Sequence, residues 1–155
     1  MIDLHVNFEG SLPTETAYYL GKKYNLPLGD NFPSSILLNG EDGRDEYYSK
    51  LKFMNSFMQN PEGLELAAYS LVKKLDSLGY IYAEIRVVPL DHTDLGLTQR
   101  QIFNCILRGI YKGLAELKEA TKSLKQAKKA LKKAENKYKA EKKQKPSKGK
   151  ELAYE

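Results

Sequence analysis

Three side chains that could do chemistry stand at alternate positions near the start of the chain: His5, Asn7 and Glu9. An imidazole, an amide and a carboxylate can bind a metal ion or accept hydrogen bonds from a polar ligand. They alternate with Ile2, Leu4, Val6 and Phe8, the period-two pattern of a half-buried strand, so they project from one face of it. Gly10 and Ser11 end the strand, and Pro13 stands at a helix start. The polar triplet is therefore expected at a strand's C-terminal end, which in a β/α barrel is where catalytic groups sit.

The elements that must position these residues are legible further on. Residues 13–24 read as a helix with Ala17, Leu20 and Tyr24 at helical spacing, and residues 25–43 as loop, rich in Gly, Pro, Asn and Ser. Residues 44–58 read as a second helix with Tyr47, Leu51, Met54 and Met58 on one face. A third is the best punctuated: Asn60 caps it, Pro61 takes the first position, Glu62 complements the dipole and Gly79 stops it. Residues 80–88 form a second strand, with Glu84 and Arg86 on one face and Ala83, Ile85 and Val87 on the other. A loop carrying Asp91, His92, Thr93 and Asp94 leads to Thr98, which has Gln101 at capping-box spacing. Strands separated by helices must run parallel, so the class is α/β.

The last helix continues past any ordinary crossover. Phe103, Ile110, Leu117, Leu124, Leu131 and Tyr138 recur every seven residues, and Ala120, Ala127 and Ala134 add a narrow second stripe. Charge changes along the same helix. Residues 1–117 hold 11 Lys+Arg against 15 Asp+Glu, a net −4, and residues 118–155 hold 14 Lys against 5 Glu, a net +9, giving the overall +5. Lysine-rich flanks disfavour a homodimeric coiled coil at low salt, so a single solvated or docked helix is expected before Pro146, Ser147 and Gly149 end it. Three regions follow: a β/α domain over 1–117, a Lys/Ala-rich helical extension over 118–145 and a flexible tail over 146–155.

Length and composition bound the rest. A chain of 155 residues with 41% hydrophobic content can bury one real core. No apolar run of about 18 residues is present, and no basic-then-apolar leader opens the chain. One cysteine, Cys105, cannot form an internal disulfide and reads as a small buried hydrophobe. A cytoplasmic protein is expected.

Ile2-Asp-Leu-His5-Val-Asn7-Phe-Glu9-Gly10-Ser11-Leu12, followed by Pro13-Thr-Glu-Thr16, closely resembles the first-strand motif of the adenosine deaminase branch of the amidohydrolase superfamily. Asn60-Pro-Glu-Gly-Leu, Tyr82-Ala-Glu-Ile-Arg86-Val-Val-Pro89, His92 and Gly96-Leu-Thr98 resemble later landmarks in the right order, so the resemblance covers residues 1–117. It implies a (β/α)8 TIM barrel that binds one zinc ion and activates water to deaminate a purine nucleoside. On that resemblance His5 is the first metal ligand, and Asn7 occupies the place of a second histidine. Glu9 is the acid that reaches the sugar, and Gly10 the glycine whose backbone approaches the purine.

An amide oxygen is a poor zinc ligand, which points to weakened metal affinity. The family's later ligands and catalytic acids have no counterparts, since His5 and His92 are the only histidines. A full barrel takes about 200 residues or more. The chain is therefore expected to be the opening part of a barrel, incomplete, truncated and inactive as a single chain, with no catalytic residue of its own. Expected partners are a purine nucleoside, further copies or a complementary chain to cover the open strands, and nucleic acid or an acidic partner held electrostatically by the lysine helix. The competing function is a non-enzymatic binding module that works through that helix. Plainer roles stand beside these: His5 as a hydrogen-bonded strand residue, and Glu84 and Arg86 as a structural network.

Overall fold

Strands β1 (Ile2–Asn7) and β2 (Tyr82–Arg86) pair in parallel, and the crossover between them carries α1 (Thr14–Lys23), α2 (Arg44–Ser56) and α3 (Pro61–Ser77). Short 3-10 turns follow each strand, Glu9–Ser11 and Pro89–His92, and α4 runs from Gln99 to Gln144. This computed structural model describes residues 1–37 and 39–144, with side chains as far as Lys139. Packing divides the chain into two units after Leu117. The tail expected over 146–155 lies outside the described residues, as does Lys145.

The sheet departs from simple alternation. Asp3 faces Ala83 and Val6 faces Ile85, so β1 takes three steps where β2 takes two. The surplus residue makes a bulge at Leu4 and His5. The Asp3 carboxylate accepts the His5 N–H at 2.9 Å, satisfying the donor that the bulge removes from the ladder. As a result Asp3 and Val6 turn to the helix side with Ala83 and Ile85, whereas Ile2, Leu4, His5 and Asn7 share the open face with Tyr82, Glu84 and Arg86. Of the four apolar positions expected on one buried face, Val6 and Phe8 are buried, but Ile2 and Leu4 are 62% and 58% exposed. The expected Glu84–Arg86 network reduces to a neighbour contact, with the Tyr82 hydroxyl donating to Glu84 at 3.1 Å.

Local signals explain the helix bounds. Asn60 Oδ1 accepts the Gly63 N–H at 2.9 Å, capping α3. At the other end Gly79 adopts φ +78°, its N–H bonds the Asp76 carbonyl, and the Tyr80 N–H reaches back to Leu75, the paired bonds of a Schellman stop. Thr98 and Gln101 exchange the capping-box bonds that open α4, at 3.3 and 2.9 Å. The core of the Met1–Leu117 unit joins Phe8, Leu20, Met54, Phe57, Leu64 and Ile102 with smaller neighbours, and Cys105 is buried in it as a free thiol.

The packed face of α4 differs from the heptad stripe at its start. Ile102, Cys105, Ile106 and Gly109 are buried, while Phe103 is 45% exposed. Gly109 lets the two helices approach closely, because a Cβ there would collide with the Glu65 carbonyl and the Ala68 methyl of α3. In the second unit the chain is helical from Lys118 to Gln144, and Leu124, Leu131 and Tyr138 are exposed.

Candidate functional site

The C-terminal ends of β1 and β2 open onto a cavity of about 630 Å³. Its walls come from the strand ends, the Pro89–His92 turn and the last turns of α2, with Asn7, Glu9, Asn55, Gln59 and Asp91 among the lining side chains.

Glu9 is the central group. The 3-10 turn after β1 folds its side chain inward, leaving it only 3% exposed. Its Oε1 accepts the Val88 N–H at 2.6 Å, and His92 Nε2 lies 3.3 Å from the same oxygen. His92 is wholly buried, edge-on to Phe8 with ring centroids 6.0 Å apart. Glu9 Oε2 is buried with no partner. Burial pushes the Glu9 carboxyl up, but the His92 ring and the Val88 N–H more than offset this, so its pKa falls below the usual glutamate value. Glu9 is thus an anion at neutral pH, with one oxygen held by the fold and the other left over.

The loop after β2 is clamped from α2 and the turn that follows it. Gln59 donates to the carbonyls of Asp91 at 2.7 Å and Asn55 at 3.1 Å, and accepts the Asp94 N–H at 3.1 Å. Asn55 donates through Nδ2 to Asp91 Oδ2 at 3.2 Å, which leaves its Oδ1 buried without a partner.

Of the residues singled out from sequence, Asn7 and Glu9 border the cavity, and Gly10 lies in the middle of the turn that carries Glu9. His5 is exposed on the open strand face beside the bulge. Sequence reasoning places His92 in the loop after the second strand and among the family landmarks without a site role, and passes over Asn55 and Gln59. His92 lies 83 positions from Glu9, a pairing that only the parallel strands create. Asn55 and Gln59 did leave a signal, because they follow Leu51 at four-residue intervals, on the core side of α2 and in the turn after it, where an apolar residue is the default.

The donor set does not fit a zinc ion. His5 supplies one imidazole, Asn7 a neutral amide, and Arg86, in register with Asn7, puts a positive charge on the same face. Among the described residues no group of three or more His, Cys, Asp and Glu side chains is placed to hold a metal ion.

A parallel β/α unit whose polar side chains gather at the strand C-termini places the chain among the α/β proteins. The adenosine deaminase family model matches residues 1–147, and the chain belongs to that family. It is 31% identical over 116 residues to an adenosine deaminase of Clostridium perfringens (strain SM101 / Type A), covering 72% of this chain and 35% of that one. An adenosine deaminase of Clostridium botulinum (strain 657 / Type Ba4) is 31% identical over 114 residues, 70% of this chain and 34% of its own. The chain thus spans about a third of the length of the curated relatives it matches.

Two solved structures share its fold: that of an ADAL–IMP complex and that of Arabidopsis ADAL complexed with IMP. Each has a TM-score of 0.54 at 17% identity, over 71% of this chain and 33% of the other. Among the described residues no helix is long and apolar enough to cross a membrane.

Proposed function

We propose that this chain supplies the first two β/α units of an adenosine-deaminase-type barrel, and that its cavity receives the sugar of a purine nucleoside against Glu9. One observation carries the reading. A buried carboxylate stands at the strand C-termini with one oxygen fixed by Val88 and His92 and the other unpartnered beside a cavity. An orphaned buried acceptor is costly unless a ligand or water satisfies it. On this reading Gly10 lets the backbone approach the base, and His5 is a lone remnant of a metal-binding pair.

The same reading makes the single chain a binding unit and not a working deaminase. A complementary chain or further copies then cover the open strand face, and the lysine-rich helix adds a salt-sensitive surface for nucleic acid or an acidic partner.

Two measurements test the proposal. Calorimetric titration with adenosine is expected to show saturable binding that Glu9→Gln weakens; equal binding by the two proteins would remove Glu9 from the site. Incubating the chain with adenosine and zinc is expected to leave the ultraviolet absorbance unchanged, and a chelator-sensitive fall would overturn the claim of inactivity.

A further inference from the structure

Asn55 is an anomaly on the inner side of α2. It is only 8% exposed, beside the core residue Met54 and just ahead of the buried Phe57 and Met58 in the turn that follows. Its amide is oriented without ambiguity. Asp91 Oδ2 is an acceptor, so the group 3.2 Å from it must be the NH2, and the carbonyl oxygen must point the other way. That oxygen is buried and has no partner, the same condition as Glu9 Oε2. Both residues line the one cavity at the strand ends.

The chemistry of the wall narrows what would fill it. Glu9 Oε2 and Asn55 Oδ1 are acceptors, and so are the carboxylates of Asp91 and Asp94. A ligand seated there must bring several donors. A second cation is poorly matched, because the Val88 N–H and the His92 ring already stabilise the Glu9 charge and Lys52 adds its ammonium to the same wall. Neutral hydroxyls suit both orphaned oxygens.

We infer that Asn55 is a second sugar-recognition residue, accepting a hydrogen bond from one hydroxyl of the ligand while Glu9 accepts from another. The inference rests on the proposed nucleoside reading of the cavity and adds to it a selectivity for the sugar that comes from α2. It also explains why a helix position that suits leucine keeps a polar group, since a site residue is retained at a cost in stability.

The test compares the wild-type chain, Asn55→Leu and Glu9→Gln by thermal unfolding without ligand and by calorimetric titration with adenosine and with free adenine. Leucine has a similar volume and removes the orphaned oxygen, and the released Asp91 carboxylate is exposed to water. Asn55→Leu is expected to unfold at the same or a higher temperature than wild type. It should bind adenosine roughly three- to tenfold more weakly, the worth of one hydrogen bond, with adenine affinity unchanged.

A lower unfolding temperature together with unchanged adenosine affinity overturns the inference, because Asn55 would then serve only to brace Asp91. Adenosine binding that Glu9→Gln weakens and Asn55→Leu leaves alone overturns it too, while keeping the nucleoside reading. If the wild-type chain binds no adenosine, the nucleoside reading fails and takes the inference with it.

Discussion

Glu9 ties the end of the first strand to the loop that follows the second. Its lowered pKa means that the folded state favours the carboxylate, so the stabilisation is present above the ordinary glutamate pKa and is lost as pH falls through the lower folded value. Replacing Glu9 by Gln leaves His92 and the Val88 N–H without an anion and should cost about 1–3 kcal/mol at pH 7. Urea unfolding at a series of pH values checks the sign: the gap between wild type and Glu9→Gln should be constant above about pH 5 and shrink below about pH 4.3. A gap that widens in acid would show that the neutral carboxyl is the form the fold prefers. The sequence pattern puts Glu9 at the strand end, but nothing in it shows that the side chain would turn inward. That follows from the 3-10 turn and from His92, which only the parallel pairing brings near.

At the scale of elements, the helices were the legible part. Asn60, Pro61 and Gly79 bound α3 as local capping chemistry requires, and the Thr98–Gln101 box opens α4. The faces of β2 follow its spacing, with Ala83 and Ile85 inward and Glu84 and Arg86 outward, but those of β1 do not. A single bulge, held by Asp3, reverses which of Ile2 and Asp3 faces the helices, and no periodicity rule contains that information. At the start of α4 the packed face is not the heptad stripe, since Phe103 is 45% exposed, because contact with α3 and not the repeat decides which face packs.

Gly109 tests this packing. Helix propensity alone favours Gly109→Ala by about 1 kcal/mol, whereas overpacking against α3 should cost about 1–3 kcal/mol. A net loss of stability in urea titration is expected, and a gain would mean that the helices have room to move apart.

The Met1–Leu117 unit presents apolar surface on two fronts. Ile2, Leu4 and Tyr82 lie on the open strand face, and Phe103, Leu107, Tyr111 and Leu114 form an exposed stripe along α4. Surfaces of this kind are usually covered by a partner. Light scattering is expected to show self-association that the double substitution Ile2→Lys, Leu4→Lys reduces; a strictly monomeric wild type with a sharp thermal transition would contradict it. The lysine-rich helix should retain duplex DNA at low salt and release it as ionic strength rises, and no binding at low salt would discard that role.

On the proposed reading, the cavity beyond the two strands takes a purine nucleoside against Glu9 and Asn55. Adenosine titrated into isotope-labelled protein, followed by amide NMR, addresses it at the residues concerned. Saturable shifts are predicted for the Val88 and Glu9 backbone amides and for the Asn55 side-chain NH2. Spectra that do not change, or shifts confined to residues remote from the strand C-termini, would contradict the account.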